Sequence, residues 1–354
     1  MEKATSSRVG ELSVGIEGIS YCLGSEQLSN DMLQSQNPNW DMTSIFERTG
    51  VISRPVAAPE ETALDMGESA ANALLEKLEL SVDQVDALIF CSQTPDHILP
   101  PNSVLLHGRL GMHHGVMAFD ITHACSGFIY GLGIGRSLVQ SGTAQRVLLI
   151  NADTYTRLLH PQDRATRPIF GDGAAATLIS GFEPSLTVID MMFATSGKQA
   201  DRFIVKSGGI RHSRNSKAID SVVDKSGRLR SDEHIYMDGL GILSFFTNVV
   251  SKAVKEILAR NELSMEDISL FVFHQASQLA LDGLQRNLEI PKEKLLVDLR
   301  DTGNLVSASI PVALARVMAR LRPKPGQLVL LCGFGVGLSW GAALMKIEKV
   351  GLKS

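Results

Sequence analysis

The sequence predicts an α/β protein built from two related halves, and three observations carry that prediction. Strand-like apolar runs alternate with helical stretches, one layout occurs twice along the chain, and the composition supports a sizeable core. Of 354 residues, 44% are hydrophobic and 20% charged, and such a length suits two domains or two halves sharing an interface.

Taken in order, "LDMGESAANALLEKLEL" (64–80) repeats its apolar residues at three and four and predicts an amphipathic helix. "DALIFCSQ" (86–93), "RVLLINAD" (146–153), "AAATLIS" (174–180) and "LTVIDMMFA" (186–194) predict strands. A second long helix is predicted over 239–263, followed by strands at "SLFVFHQ" (269–275) and "LVLLCGF" (328–334). Strands alternating with helices imply buried, mostly parallel sheets. Between them, 203–238 is polar and punctuated by Gly and Ser, with too few apolar residues to bury; it reads as a flexible excursion, a lid or a disordered linker.

The repeat lies inside this order. "LSVDQVDALIFCSQT" (80–94) and "LSMEDISLFVFHQAS" (263–277) share a Leu-Ser start, an acidic turn and an apolar strand ending in a polar tetrapeptide. Each is followed by an Asp-led loop opening into a helix, at Asp120 and Asp301, then by Gln145 or Gln327 and another strand. Two copies of one βαβ-rich unit are implied, residues 1–183 and 184–354, packed with equivalent loops facing each other.

Composition excludes several roles. A formal net charge of −4, with no basic stripe, gives no footprint for nucleic acid. Four scattered cysteines without a C-x-x-C pair argue against a disulfide framework, and the cluster His113, His114, His123 and Cys125 fits no metal-site spacing. No leader pattern or membrane-length apolar run is present, so the expected location is cytoplasmic.

The chemistry concentrates at three polar residues. Cys125, in "DITHACSGFIYGL", stands where a helix begins, and amides there favour thiolate. Small neighbours leave its sulfur approachable, though the segment alone describes a buried structural cysteine somewhat better. His274 ends a strand at the position that "CSQT" occupies in the first half, and strand ends in open α/β sheets are where ligands bind. Asn304 lies in the counterpart of the Cys125 loop; it is either a helix cap or, across a pseudo-twofold axis, a donor near that sulfur. The glycines of "CGFGVGLSWGAAL" (332–344) follow a strand without the acidic partner of a dinucleotide site, and their amides could hold an oxyanion.

Together, "ERTGV" (47–51), the Cys125 segment, "DRATRPIFGDGAAA" (163–176), "VFHQAS" (272–277), "GNLVSASIP" (303–311) and "GFGVGLSWGAAL" (333–344) resemble the β-ketoacyl-acyl-carrier-protein synthase III family. The resemblance implies a thiolase-like fold with two pseudo-twofold-related halves in an αβαβα layering. It implies Cys125, His274 and Asn304 as catalytic residues and the amides of Cys125 and Val336 as oxyanion hole. Arg48, Arg164 and Ser277 match the coenzyme A and pantetheine contacts, Leu99 the acyl-pocket plug offered by a partner subunit, and Arg286 the carrier-protein docking helix. The implied substrates are acyl and malonyl thioesters of coenzyme A or acyl carrier protein, with no bound cofactor and no metal, in a homodimer serving fatty acid or polyketide synthesis.

This sequence departs from the family in places. Ser44 stands at the position of a stacking Trp, "HQAS" replaces "HQAN", Leu279 replaces a basic docking residue, and Leu99 is less bulky than the usual Phe. A smaller plug implies a pocket that takes more than acetyl. His123 and Arg167 replace small or apolar residues, and a buried Arg167 calls for a protein carboxylate or an acidic acyl group. Two alternatives stand beside condensation: transfer of the Cys125-bound acyl group to an oxygen or nitrogen nucleophile, and a non-catalytic partner subunit.

Overall fold

The structure is a computed structural model that describes residues 13–214, 220–223, 229–321 and 323–349. Residues 1–12, on which most of the leader reading falls, and parts of the 203–238 excursion lie outside these. The first half runs β1 (Gly15–Leu23), β2 (Glu26–Ser29), α1 (Asn30–Gln36), α2 (Met42–Thr49), β3 (Ser53–Val56), α3 (Ala63–Leu78) and β4 (Ala87–Cys91). It continues with α4 (Asn102–Arg109), β5 (Met117–Ile121), α5 (Gly127–Gln140), β6 (Arg146–Asp153) and β7 (Gly173–Ser180). The second half has β8 (Leu186–Thr195), β9 (Phe203–Ile204), β10 (Val222–Val223), β11 (Leu229–Arg230), β12 (Tyr236–Met237), α6 (Gly239–Arg260) and β13 (Ile268–Phe273). It closes with α7 (Gln278–Leu288), α8 (Ser309–Leu321), β14 (Leu328–Gly335) and β15 (Ser339–Ile347).

Nine strands join in the order β13-β14-β15-β8-β1-β7-β6-β4-β5. The duplication is visible in that order. Read outward from the β1–β8 contact, β1-β7-β6-β4-β5 on one side is matched by β8-β15-β14-β13 on the other, with Leu295 bridging Phe271 where a fifth strand would lie. The two sets meet through only two pairs, Gly15 with Thr187 and Ile16 with Leu186.

Three apolar clusters define the layers. Helices α5 and α8 bring Phe128, Ile129, Leu132, Ile310, Ala313 and Leu314 into one core with residues of both half-sheets. Helix α3 packs on the outer face of the first half-sheet through Leu64, Ala71 and Leu74. Helices α6 and α7 cover the second through Val250, Ile257, Leu281 and Leu284. Helix, sheet, helix, sheet, helix is the predicted αβαβα stack.

Two expectations are corrected. The sheet is not mostly parallel: only β13–β14, β4–β5 and β4–β6 pair that way. Strands β14 and β15 are joined by a segment too short for a crossover helix and so run antiparallel, and β1 runs antiparallel to both β7 and β8. Nor does the excursion lack residues to bury. Phe203 and Ile235 are buried beside Tyr155 and Phe170, and β9 pairs with β12. Among the described residues no helix is long and apolar enough to cross a membrane.

Candidate active site

Cys125 occupies the turn between β5 and α5. The Gly127 N–H donates to the Ala124 carbonyl (2.7 Å) and Tyr130 N–H to the Ser126 carbonyl, so the helix starts just beyond the sulfur. The residue is 4% exposed, yet it lines a cavity of about 610 Å³ together with His274 and Asn304. The three candidate side chains, drawn from both halves, therefore face one space.

The helix start does not leave the resting thiol acidic, as the sequence suggested. Burial pushes the Cys125 thiol up to about 12, the Asp153 carboxylate adds to the rise, and the backbone amides of Cys125 and Val336 pull the other way. Those amides reach the sulfur because β14 passes against it. A Cβ at Gly335 would lie 2.5 Å from the Cys125 Cβ and 2.8 Å from the sulfur, so only glycine fits.

Asp153, ending β6, escaped the sequence reading, because an acidic residue closing "RVLLINAD" looks like any strand terminus. It is buried and accepts from the Gln93 N–H (2.8 Å), Ser92 Oγ (3.3 Å), Thr94 Oγ1 (3.3 Å) and Ser307 Oγ (3.2 Å). Burial raises its carboxyl to about 7 against those donors. Ser307 follows Asn304 closely, so this one carboxyl ties the loop after β4 to the Asn304 segment across the two halves.

His274 follows β13. Its N–H donates to the Cys332 carbonyl (2.9 Å), and its ring meets Phe334 edge-on at 5.6 Å. Only 2% exposed, it is pushed down to about 3 by burial and stays neutral. Its Nδ1 is buried without a hydrogen-bond partner among the described residues. A neutral imidazole carries one ring N–H, and a hydrogen on Nε2 is the tautomer that can donate into the cavity.

Asn304 is held by its backbone on both sides, donating to the Ile169 carbonyl (2.9 Å) and accepting from Gly171 N–H (3.1 Å). Gly303 before it has φ +61°, and a Cβ there would come within 2.5 Å of the Ile169 oxygen. The Asn304 Oδ1 accepts from Val306 N–H (2.9 Å). That bond commits the oxygen and leaves the amide nitrogen as the group able to donate into the cavity.

The other predicted residues divide. Arg48, Arg164 and Ser277 line the cavity. The Arg48 guanidinium donates to the Ser44 carbonyl (3.1 Å) and hydroxyl (3.2 Å), so Ser44, at the position of the stacking Trp, anchors the arginine instead. Ser277 Oγ accepts from Ala280 N–H (3.3 Å) and caps α7. Leu99 is 78% exposed and does not line the cavity of its own chain. Arg286 is exposed on the last turn of α7, while Leu279 sits at the cavity rim. Arg167 lies outside the lining and half-buried; burial lowers its guanidinium, and the charge of Asp172 acts against that. The His123 ring lies tilted against Tyr130 with centroids 4.3 Å apart, and its carbonyl accepts from the Cys91 thiol (3.2 Å). Unforeseen lining residues are Phe170, Phe203, Ile242 and Phe246, brought together only by the folded excursion and α6. Among the described residues no group of His, Cys, Asp and Glu could hold a metal ion.

Comparison with known proteins places the chain among relatives. The model of the 3-oxoacyl-[acyl-carrier-protein (ACP)] synthase III family matches residues 119–197, and that of its C-terminal region matches 258–347. A β-ketoacyl-[acyl-carrier-protein] synthase III of Clostridium perfringens is 35% identical over 303 residues, covering 86% of this chain and 90% of that one. A crystal structure of a 3-oxoacyl-(acyl-carrier-protein) synthase III superposes with TM-score 0.90 at 38% identity, covering 94% and 99% of the two chains. The priming β-ketosynthase of the R1128 polyketide pathway superposes with TM-score 0.82 at 27% identity, over 98% and 99%. Fold and relatives thus define an acyl-transferring enzyme of the thiolase-like superfamily. Within it, the chain belongs to the β-ketoacyl-acyl-carrier-protein synthase III family.

Proposed function

We propose that the protein is a decarboxylating condensing enzyme that joins a primer acyl group to a malonyl thioester, working through Cys125, His274 and Asn304. The observation that carries this is the meeting of those three side chains on one cavity, with the amides of Cys125 and Val336 at the sulfur. In the first step Cys125 attacks the thioester carbonyl; the new S–C bond forms, the donor thiol departs with the proton, and the two amides hold the oxyanion. In the second, the malonyl thioester loses CO2. The resulting enolate oxygen accepts hydrogen bonds from His274 Nε2 and Asn304 Nδ2, and its carbon attacks the acyl group and expels Cys125. Two donors on that developing charge contribute about 3 kcal/mol each.

The donors are thioesters of acyl carrier protein or coenzyme A, entering past Arg48 and Arg164, with Ser277 beside the pantetheine arm and Arg286 as a carrier-protein contact. We take the halves to divide at 183/184, the chain to form a homodimer in which Leu99 reaches the partner's acyl pocket, and the enzyme to work in the cytoplasm in fatty acid or polyketide priming. Intact-mass measurement after incubation with acyl thioesters tests the first step: an adduct lost in Cys125→Ser supports it, and no adduct refutes it. Malonyl carrier protein then tests the second. CO2 with a β-ketoacyl product is expected, and discharge to an alcohol or amine without malonate would replace condensation with simple acyl transfer.

A further inference from the structure

Two buried hydroxyls meet beside the nucleophile, one from each half of the chain. Ser126 follows Cys125 at the start of α5, and Ser339 opens β15; both are buried. Their oxygens lie 2.7 Å apart, and Ser339 Oγ donates to the Val336 carbonyl at 2.9 Å. A hydroxyl has a single hydrogen. With that of Ser339 spent on Val336, the bond between the serines runs from Ser126 to Ser339.

This chain starts one residue after Cys125 and ends on Val336, the two residues whose amides reach the sulfur. Val336 begins the turn 336–338, just past the pair of Gly335 with Ser339. Gly337 at its centre has φ +137°, a conformation open chiefly to glycine, so the turn has little stiffness of its own. Its far end is fastened where the Leu338 carbonyl accepts from Ser196 N–H (2.8 Å). Its near end, where the amide matters, is fastened by the Ser339 hydroxyl. Turning Val336 away would strand its carbonyl and the Ser126 hydroxyl among buried groups, which is costly.

An oxyanion hole works only when its donors are held where the charged oxygen will form, and here the two donors come from different halves. We propose that Ser126 and Ser339 form a hydroxyl chain that holds the Cys125 and Val336 amides in register, which makes both serines positioning residues for acylation. This rests on the acylation of Cys125 proposed above.

The test follows two reactions of Cys125 by intact mass, acylation by acetyl-pantetheine and alkylation by iodoacetamide at the same pH, in the wild type, Ser126→Ala, Ser339→Ala and the double variant. Both reactions need the thiolate and access to the sulfur, but alkylation displaces iodide from a saturated carbon and builds no oxyanion. The acylation-to-alkylation ratio therefore reads the hole alone. Ser339→Ala should lower it about tenfold, part of the loss of about 10²–10³ that removing a donor outright brings. Ser126→Ala should lower it about threefold, and the double variant should match Ser339→Ala because Ser126 acts through Ser339. An unchanged ratio in either single variant, or a double variant that shows the product of the single losses, overturns the assignment while leaving acylation intact. A wild type that takes no acetyl group overturns both.

Discussion

Gly335 and Cys125 stand so close that a Cβ on the former would lie 2.8 Å from the sulfur of the latter. The absent side chain is what lets the end of β14 deliver the Val336 amide. Gly335→Ala must push β14 back or tilt the thiol, costing about 1–3 kcal/mol of stability and most of the oxyanion contact. Acylation of Cys125, followed by intact mass, should fall about a hundredfold or more, with a lowered but single melting transition. An alanine variant that acylates at the normal rate would sink this account of the glycine.

Asn304 and His274 are assigned to the second step alone. Asn304→Ala and His274→Ala should each slow CO2 release from the malonyl thioester by about 10²–10³, while the acetyl adduct still forms on Cys125. Equal loss of adduct formation in either variant would place that residue in the first step instead.

Burial holds the Cys125 thiol up, and the Asp153 charge adds to the rise. Asp153→Asn keeps the shape, leaves Oδ1 to accept from Gln93, Ser92 and Thr94, and offers an N–H to the Ser307 hydroxyl. Alkylation of Cys125 by iodoacetamide at pH 8 should become about threefold to tenfold faster, its pH profile displaced toward acid. A profile that stays in place removes the carboxylate from the sulfur's electrostatics.

Acid stability carries a signature of the buried imidazole. His274 is held down to about 3 in the folded chain against 6.5 for the free group, so between those values the unfolded state binds the extra proton. Its neutral burial therefore contributes stability that is present above pH 6.5 and lost as pH falls toward 3. A His274→Asn variant lacks that loss, so its melting temperature relative to wild type should rise between pH 7 and pH 5. A constant difference across that range would mean that the ring titrates normally.

Much of this was legible beforehand, and the reasons differ by element. The strands β4, β6, β7, β8, β13 and β14 are largely apolar runs, and they stand within a residue or two of their expected bounds. The repeat of Leu80–Thr94 in Leu263–Ser277 revealed the duplication because both copies keep the same acidic turn and strand. Strands β1, β5 and β15 were not marked: β1 and β15 are glycine-interrupted, and β5 is a half-buried edge whose pattern is weak. The cysteine, histidine and asparagine could be picked out as residue types at strand and helix ends. Their convergence, the raised thiol and the pairing of Ser126 with Ser339 could not, since each depends on burial created by segments distant in sequence. The excursion misled for the same reason: Phe203 and Ile235 look isolated in a polar stretch until Tyr155 and Phe170 receive them.

The meeting of β1 and β8 through two residue pairs has a further consequence. Each half-sheet lays one face on the helices α5 and α8 between them, so neither half owns a complete interior. Cut at the seam, either fragment would bare the middle helices to water along their whole length, and the two pieces would have to find each other before either could hold its shape.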